Sequence, residues 1–527
     1  MKYYLLLFFL ACYAEMTGQP NQRAKGSVFE DFNRNSIWDE SEPGIAGVVV
    51  SNGAEVVITN QYGHFTLPVY TDEATIFVIK PGDYLYPVNE MNLPQFYYLH
   101  KPKGSPDLKF AGTDPTGSLP ESVDFPLIKD DENEEFSIVV FSDPQPYVIG
   151  EVAYYDKAIV EELVGSKEHA FGITMGDLVG DDLSMFAPLN LATSRIGLPW
   201  FHVIGNHDLN FDAEIWQHAD ETFENTFGPA TYAFNHGKVH FIVLNNVIFP
   251  NTYNSRYYVG GLRDDQFTFI ENSLKYVPED HLVVINMHIP IYNDAEWGET
   301  FRNDDRIRLF KLLEKHRYTL SFSGHTHTQR HHFFGEEEDW LHPEPHHHYT
   351  VGTAGGDWWS GEPDENGVPV STMYDGTPKG YNIIHFKGNE YRWDYKVAGS
   401  PAAYKMELYG PRTVPHNKHF RGEFYVNFFQ GSEKDIVEFK VNDGEWRRMR
   451  YVVEFDPGVC AMRFRWDNSE DLPAGTRPSN PVNCYHLWKA RVPTNVEPGE
   501  NTIFVRVTDV FGRIFDESFN YQAIIVE

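Results

Sequence analysis

The spacing of apolar residues changes twice along the chain and divides it into three regions. Between residues 24 and 110, short apolar runs such as 48–50 and 56–58 alternate with turn residues, for example Asn52 and Gly53. Short runs of this kind, rich in β-branched residues and bounded by turns, predict β-strands. The region is too short for a large core, so we expect a small β-sandwich.

From residue 136 to residue 398, strand-like runs alternate with helix-like ones. Apolar strand candidates lie at residues 136–141, 171–175, 200–204, 240–244, 281–287 and 318–322. Helical spacing of apolar residues is found at 152–163, 264–274 and 304–313. Strands that alternate with helices predict an α/β domain built in layers.

Two further segments complete this division. Residues 111–135 are rich in proline, glycine and acidic residues, and they predict a linker with some strand content that ends in a solvated charge run at 129–135. After residue 398 short strand candidates return, at 424–429, 436–441, 461–466 and 503–507. We therefore expect a second, immunoglobulin-like (Ig-like) all-β sandwich over residues 399–527.

The net charge limits the partners that the protein can bind. The chain has 527 residues and a formal net charge of −33. Because a phosphate backbone needs a basic protein face, this charge argues against a nucleic-acid polymer and against an anionic membrane surface. An acidic protein still binds phosphate esters where metal ions supply the positive charge.

Residues 1–18 predict a signal peptide, with an apolar run that is too short to span a bilayer. Two ways of processing are open. The sequence before Cys12 resembles a loose lipobox, which would make Cys12 a lipidated membrane attachment. Cleavage near Ala14 or Gly18 would instead release the protein. In either case we expect export, as a periplasmic protein, an outer-membrane lipoprotein or a secreted protein.

Two cysteines follow the predicted signal peptide, Cys460 and Cys484. In an exported protein they would be able to form one disulfide. The alternative is two buried free thiols, and the sequence leaves both open because it does not show whether the residues are close in space.

The start of the first region has the spacing of a calcium loop. Positions 1, 3, 5, 7, 9 and 12 of such a loop are Asp31, Asn33, Asn35, Ile37 (through its carbonyl), Asp39 and Glu42. Ser36 stands where these loops prefer glycine. The segment looks like the calcium-binding β-sandwich repeats of bacterial surface proteins, and the alternative is an acidic, hydrogen-bonded turn.

Polar residues follow the strand candidates of the middle region. They are Asp143 and Gln145, Asp177 and Asp181, Asn206 and His207, His288, and the pair His325 and His327. In an α/β sheet, ligands bind beyond the carboxyl ends of the strands. So many oxygen and nitrogen donors at one edge predict a metal site rather than a set of caps and turns.

These motifs resemble those of the calcineurin-like metallophosphoesterases. The flanking β regions resemble the amino- and carboxyl-terminal domains of bacterial exported (Bacteroidetes-type) members of this family. The resemblance covers about 260 residues and implies a β-sandwich core flanked by helices over residues 136–398. It also implies two divalent ions, from among manganese, iron, zinc and magnesium. Asp177 would bridge the ions, Asp143 and His327 would bind the first, and Asn206, His288 and His325 the second.

The resemblance assigns two further residues and shows one departure. His207 would lie by the leaving group without binding metal, and Asp181 would orient a neighbouring residue. Gln145 stands where the family usually has histidine. Its amide oxygen is a neutral and weaker donor than imidazole, which puts the affinity and identity of the first metal in doubt.

Residues after the last motif are candidates for substrate contacts. Trp358 and Trp359 would stack on a sugar or base, or pack against the carboxyl-terminal domain instead. Lys379 is a candidate phosphate contact. The run of residues 346–348, three histidines, predicts either a solvated loop or a third metal site.

The function that follows is an exported metal-dependent phosphoesterase, which hydrolyses a phosphate mono- or diester by attack of a metal-bridging hydroxide. Its substrate would be a small-molecule, lipid or glycan phosphate ester. The alternative is a non-catalytic, calcium-stabilised surface-binding protein on a phosphoesterase scaffold, which only Gln145 favours.

Overall fold

The computed structural model describes residues 20, 22–130, 134–254, 256–293 and 298–526. The predicted signal peptide, including Cys12, lies outside these residues, so export and lipidation stay predictions. Over the described ranges, every helix is too short or too polar to cross a membrane.

The N-terminal region forms two four-stranded sheets, with strand orders β4-β1-β8-β6 and β3-β2-β5-β7. The strands are β1 (Gln22–Glu30), β2 (Val49–Ser51), β3 (Val56–Ile58), β4 (His64–Val69), β5 (Ala74–Ile79), β6 (Tyr84–Leu85), β7 (Tyr97–His100) and β8 (Phe125–Lys129). Buried side chains of both sheets, such as Val28 and Leu67 in one and Val50 and Phe77 in the other, belong to one core.

Strand β8 lies inside the segment predicted as a linker, residues 111–135. It pairs in parallel with β1, with Val28 opposite Phe125, and the alternate residues Phe125 and Leu127 are buried. The strand accounts for the strand content expected of this segment, and it belongs to a sheet of the N-terminal region. The acidic residues that follow the strand concealed a short alternating pattern that completes the sheet.

In the predicted calcium loop, two of the acidic side chains accept hydrogen bonds from backbone N–H groups of the same loop. The Asp31 carboxylate accepts from the backbone N–H groups of Asn35 (3.2 Å) and Ser36 (2.9 Å). The Glu42 carboxylate accepts from the N–H groups of Phe32 (2.9 Å) and Asp39 (3.0 Å). Both alternatives for this loop include such bonds, so calcium binding stays a prediction.

The middle region forms a five-stranded and a six-stranded sheet, with orders β11-β10-β9-β20-β21 and β12-β13-β16-β17-β19-β18, and a small β14-β15 hairpin. Its strands are β9 (Glu135–Phe141), β10 (Phe171–Thr174), β11 (Trp200–His202), β12 (Tyr232–His236), β13 (Val239–Val243), β14 (Val247–Ile248), β15 (Val259–Gly260), β16 (Leu282–Asn286), β17 (Tyr318–Ser323), β18 (Arg330–Phe334), β19 (His346–Thr350), β20 (Gly380–Lys387) and β21 (Glu390–Val397). Its α-helices are α1 (Ile149–Tyr155), α2 (Phe186–Ser194), α3 (Glu221–Phe227), α4 (Asp264–Leu274) and α5 (Asn303–Leu313). The two sheets enclose one core, and the helices cover it.

Parallel pairing positions the strand ends. Strands β9, β10 and β11 run parallel in one sheet, and β13, β16, β17 and β19 run parallel in the other. The loops that leave their carboxyl ends therefore lie at common edges. The N-terminal region packs on this core through aromatic contacts, for example Phe77 on Phe269 (5.6 Å) and Phe96 on Tyr232 (5.1 Å).

The C-terminal region has two sheets, with orders β22-β24-β28-β27 and β23-β30-β29-β25-β26. Its strands are β22 (Met406–Tyr409), β23 (Thr413–Pro415), β24 (Glu423–Phe428), β25 (Ile436–Val441), β26 (Arg447–Arg448), β27 (Arg450–Phe455), β28 (Asn483–Arg491), β29 (Gly499–Thr508) and β30 (Ile514–Ile524). An α/β core between two β-rich terminal regions is the predicted fold class, which is confirmed.

Two predictions for the C-terminal region are decided by the structure: the strand at 461–466 and the state of the two cysteines. The strand predicted at 461–466 is wrong, because helix α6 (Pro457–Asp467) occupies this segment. Asp456 caps the helix and Pro457 begins it, whereas the alternation of apolar and basic residues imitated a strand. Within the described part of the chain, Cys460 and Cys484 are both free thiols.

The run of three histidines is neither a solvated loop nor a metal site, so both predictions for it are wrong. The residues lie in β19 and are buried. His346 and His348 share the hydroxyl of Ser321 at 2.8 and 2.7 Å, and Ser323 binds the other nitrogen of His348 at 2.9 Å. Burial lowers the pKa of each imidazole, so the three side chains are neutral hydrogen-bonding residues of the core.

Candidate metal centre

Five loops bring the predicted ligands together at the strand ends. Asp143 and Gln145 follow β9, Asp177 follows β10, Asn206 follows β11, His288 follows β16, and His325 and His327 follow β17. All of these side chains are buried except that of His325, which is half-buried. A buried group of carboxylates and imidazoles needs a compensating charge or hydrogen bonds.

One set of donors surrounds His288. Donor atoms of Asp177, His288 and His325 all lie within 4.8 Å of one another. The Nε2 atom of His288 is 3.1 Å from Oδ2 of Asp177 and 3.1 Å from Oδ1 of Asn206. On the other side of the ring, Nδ1 of His288 lies 2.8 Å from the Met175 carbonyl oxygen, which fixes the proton on Nδ1.

A second set of donors surrounds His327. Its Nε2 atom is 2.9 Å from Oε1 of Gln145 and 3.6 Å from Oδ1 of Asp143. Its Nδ1 atom is 2.6 Å from the carbonyl oxygen of Gly356, which again assigns the ring proton to Nδ1. The amide nitrogen of Gln145 donates to the Tyr147 hydroxyl (3.3 Å), so the Gln145 oxygen faces the imidazole.

This arrangement places hydrogen-bond acceptors against one another. With the proton on Nδ1, the Nε2 atoms of His288 and His327 carry lone pairs, and both face oxygen atoms that also accept. A cation between such atoms removes the conflict, either as a second ring proton or as a metal ion. The carboxylate of Asp177 accordingly raises the pKa of His288 to about 9, although burial opposes this shift.

The set of donors fits divalent metal ions. It combines carboxylate, amide and imidazole donors, as zinc, manganese and iron sites do. Among the described residues, the buried Nδ1 atom of His325 has no hydrogen-bond partner. The Nδ1 atoms of His288 and His327 each donate to a backbone carbonyl oxygen, a common arrangement around metal-binding histidines.

The backbone is strained at most of these positions. Five of the predicted ligand residues have positive φ: Asp143 (45°), Gln145 (39°), Asp177 (49°), His325 (73°) and His327 (50°). Non-glycine residues in this region cost on the order of 1–3 kcal/mol each and concentrate at functional sites. The positive φ values turn the backbone sharply after each strand and direct these side chains across the edge of the sheet.

Glycine is required where two of these loops touch. A Cβ atom at Gly324 would lie 2.0 Å from Oγ of Ser142 and 2.5 Å from Oδ2 of Asp143. At Gly205 it would lie 2.1 Å from the backbone nitrogen of Asp177. Any side chain at either position would push the ligand loops apart.

His207 lies beside the metal centre without joining either set of donors. Its backbone N–H donates to Oδ1 of Asp177 (2.9 Å), and its Nδ1 atom is 2.7 Å from Oδ1 of Asp181. Burial acts to lower its pKa, but the carboxylates of Asp177 and Asp181 raise it to about 9. A protonated and partly exposed imidazole therefore stands at the edge of the site, and Asp181 contacts this imidazole.

Asp208 and Asn246 support the ligand loops, and sequence reasoning missed both. The buried Asp208 carboxylate accepts from the backbone N–H groups of Gly205 (2.8 Å) and Val179 (3.2 Å). The Asn246 side chain accepts from the N–H of His288 (3.1 Å) and donates to the Ile289 carbonyl (2.7 Å). Asp208 follows the Gly-Asn-His motif directly, and that adjacency was its only signal.

The structure separates the three predicted substrate contacts. Trp358 lies at the site, since its ring stacks on His327 at a centroid distance of 4.1 Å. Trp359 is not available as the predicted substrate contact, because its side chain is buried and its indole N–H donates to the Pro144 carbonyl (2.8 Å). Lys379 is not the predicted phosphate contact either. Its buried ammonium donates to the carbonyls of Pro369 (2.7 Å) and Val370 (3.0 Å) and supports a loop.

A second group of donor atoms lies between the N-terminal and middle regions. It consists of Glu73, His218 and Glu221. The ammonium of Lys101 binds the carboxylates of Glu221 and Glu224, and it already supplies the positive charge that these side chains need. We therefore assign no metal to this group.

Family models match three consecutive parts of the chain. Residues 136–329 match the model for calcineurin-like phosphoesterase. Residues 33–114 match the model for the N terminal of calcineurin-like phosphoesterase, and residues 348–515 match the model for its C terminal. The three matches follow the order of the three regions of the fold.

Solved structures give weaker matches. A dimetal phosphatase from Danio rerio has 11% identity, with 50% of this chain and 99% of that chain covered and a TM-score of 0.33. A purple acid phosphatase from yellow lupin (Lupinus luteus) seeds has 12% identity, 72% of each chain covered and a TM-score of 0.36. A metallophosphoesterase from Sphaerobacter thermophilus has 13% identity, with 50% and 89% covered and a TM-score of 0.22. No curated protein matches the sequence.

Proposed function

The chain belongs to the calcineurin-like phosphoesterase family, and from this premise we propose that it hydrolyses phosphate mono- or diesters with two divalent ions at the metal centre. Membership makes the protein a metal-dependent hydrolase acting on phosphate esters. The observation that supports the number of ions is the pair of facing acceptor sets, one around His288 and one around His327. In each set an imidazole Nε2 atom faces oxygen atoms that also accept hydrogen bonds, and one divalent ion per set would bind these atoms together.

The two sets suggest how the ligands are divided. Asp143, Gln145 and His327 would hold one ion, and Asn206, His288 and His325 the other. Asp177 would contact both, because its loop follows the strand between those that carry Asp143 and Asn206. The oxygen-rich first set suits manganese, magnesium or iron, and the second set suits zinc, manganese or iron.

The residues of the chain have separable tasks in the reaction. When bound, the ions would neutralise the phosphate oxygens and lower the pKa of water, which supplies a hydroxide nucleophile at neutral pH. His207 would donate a proton or hydrogen bond to the departing oxygen, and Asp181 would keep His207 protonated and oriented. The aromatic ring of Trp358 stacks on the face of the His327 ring, with 4.1 Å between the ring centroids, and would hold the imidazole in place.

The activity is testable with two chromogenic esters. We expect manganese-loaded protein to hydrolyse p-nitrophenyl phosphate, bis-p-nitrophenyl phosphate or both, and chelation followed by dialysis to abolish turnover until metal is restored. Release of p-nitrophenol at 405 nm, followed alongside metal content, provides the measurement. Protein that contains two ions and yet hydrolyses neither ester would support the non-catalytic alternative.

The glutamine in the first set gives a second prediction. Gln145→His replaces a neutral amide oxygen with imidazole, so we expect the first ion to bind about 10-fold more tightly. Isothermal titration of metal-free protein with manganese measures this change. Gln522→His, at an exposed position of β30, is the matched control and should leave the affinity unchanged. Equal affinities of Gln145→His and the natural protein would remove Gln145 from the ligand set.

Location and partners remain proposals of the same kind. We propose export, on the signal-like residues 1–18, and attachment through Cys12 as one of its two forms. The net charge of −33 supports a small phosphate ester, or a lipid or glycan phosphate, over a nucleic-acid polymer. Mass spectrometry of the amino terminus of the mature protein distinguishes the lipidated from the released form.

A further inference from the structure

A short loop lies between the metal centre and the C-terminal region. It consists of residues 373–377, which precede β20 and which we call the bridging loop. On one side it contacts residues 324–329, the ligand loop, which joins β17 to β18 and carries His325 and His327. On the other side it contacts β24, β28 and the backbone just before β28. The bridging loop therefore connects the C-terminal region to two predicted metal ligands.

The bridging loop holds the ligand loop at two points. The carboxylate of Asp375 accepts the backbone N–H of Gln329 at 2.7 Å, and both residues are buried. The hydroxyl of Tyr374 donates to the backbone carbonyl of Thr326. These two hydrogen bonds lie before and after His327 in the sequence, so together they fix the backbone that carries this imidazole.

A buried polar network of the C-terminal region holds the bridging loop in turn. In β28, Nε2 of His486 lies 3.1 Å from Oδ2 of Asp375, and its Nδ1 atom lies 2.7 Å from Oδ1 of Asn427 in β24. The amide nitrogen of Asn427 donates to the Asp375 carbonyl (3.2 Å) and to the Asp456 carboxylate (2.9 Å). All four side chains are 0% exposed, so water does not replace a bond that is lost.

The bridging loop also packs closely against the C-terminal region. Gly376 has a positive φ of 91°, and a Cβ atom there would lie 2.4 Å from the carboxyl carbon of Asp456 and 2.6 Å from the amide nitrogen of Asn427. The backbone N–H of Val482 donates to the carbonyl of Tyr374 at 3.1 Å. Backbone bonds, side-chain bonds and close packing thus join the bridging loop and the C-terminal region into one rigid unit.

We propose that His486 is a positioning residue of the metal centre, which acts through the bridging loop to hold His327 at the first ion. The C-terminal region is then a part of the metal centre and not a separate binding module. The inference rests on the proposed function, since it takes His327 as a ligand of the first ion. Asn206 and His288, two of the three ligands assigned to the second ion, come from other loops and do not depend on these contacts.

Calorimetric titration of metal-free protein with manganese tests this role. In Asp375→Asn, an amide N–H group replaces an oxygen that accepts the backbone N–H of Gln329 (2.7 Å) or of Thr377 (2.9 Å). We expect the first ion to bind about 10- to 100-fold more weakly, which is the effect of losing a partner that orients a metal ligand. The affinity of the second ion should change much less.

His486→Gln tests the same connection from the C-terminal side. The amide nitrogen of glutamine can reach the carboxylate of Asp375 or the oxygen of Asn427, but it does not bridge them as the imidazole does. We expect the same selective weakening of the first ion. A substitution in β28 would then change metal affinity without contacting the metal centre.

A milder variant and a control separate positioning from folding. Tyr374→Phe removes only the hydroxyl that binds Thr326 and keeps the backbone bond to Val482, so the first ion should bind about 2- to 10-fold more weakly, the value of one hydrogen bond. Asp443→Asn, at an exposed position in the turn after β25, should leave both affinities unchanged. Thermal unfolding of each metal-free variant measures the stability of the fold.

The outcomes distinguish this inference from the proposed function. Unchanged affinities in Asp375→Asn and His486→Gln would overturn it, and so would equal weakening of both ions with a lower unfolding temperature, since the network would then support only the fold. Neither result affects the phosphoesterase activity. Protein that binds two ions and hydrolyses neither chromogenic ester would refute the proposed activity, while the titrations still decide the role of His486. Protein that binds no divalent ion would refute both.

Discussion

Asp177→Asn is expected to lower phosphoesterase turnover by about 1000-fold or more and to reduce the number of bound metal ions. Asparagine has almost the same shape and still accepts the N–H of His207 through its oxygen. It lacks the negative charge that faces His288 at 3.1 Å, and a neutral amide is a poor ligand for two cations. Metal content by mass spectrometry and kcat on p-nitrophenyl phosphate measure both effects.

Asp304→Asn provides the control for this substitution. Asp304 is exposed on helix α5 and lies in its first turn, so the same loss of charge should leave metal content and turnover unchanged. Thermal unfolding of both variants shows that the fold is retained. An Asp177→Asn protein with two ions and the natural rate would refute the role of Asp177 and, with it, the division of the ligands into two sets.

The sequence predicted which polar residues lie together at the strand ends, because the signal for each of them is local. Each predicted ligand lies in the loop after an apolar strand candidate, and parallel strands present their carboxyl ends at one edge. Asp143 and His327 are thus brought together by the sheets although 184 positions separate them in the numbering. Motif spacing carries this information without any knowledge of side-chain contacts.

Burial of polar residues is what the sequence did not reveal. Three consecutive histidines are typical of a solvated loop, but here Ser321 and Ser323 bind His346 and His348 inside the sheet, and His331 and Tyr391 bind His347. Likewise the ammonium of Lys379 is used by two carbonyls rather than by substrate. Partners of this kind come from distant parts of the chain, so no local pattern identifies them.

Two elements, β8 and α6, were not predicted at their positions. Strand β8 has five residues and finds its partner in β1, far back in the sequence. In α6 an alternating pattern suggested a strand, but the cap at Asp456 and Pro457 initiates a helix in which Val459 is the buried residue. In both cases pairing or capping decided the structure, and apolar periodicity alone was ambiguous.

The second large effect concerns the leaving group. His207→Asn is expected to lower kcat by about 100- to 10,000-fold on an alkyl phosphate while the two metal ions stay bound, because proton donation by a positioned side chain contributes this much. The effect should be much smaller on p-nitrophenyl phosphate, since p-nitrophenolate departs without a proton whereas an alkoxide does not. A comparison of glycerol 3-phosphate with p-nitrophenyl phosphate, with metal content determined in parallel, measures this difference.

Two further variants make the role of His207 specific. Asp181→Asn removes the carboxylate 2.7 Å from the imidazole and should lower the pKa of His207, so the rate on the alkyl ester should decline at a lower pH than in the natural protein. His419→Asn, at an exposed position of the C-terminal region, is the matched control for His207→Asn and should leave kcat unchanged. If His207→Asn slowed both esters equally and lost metal, the residue would be a support of the metal centre, and the departing oxygen would need another donor.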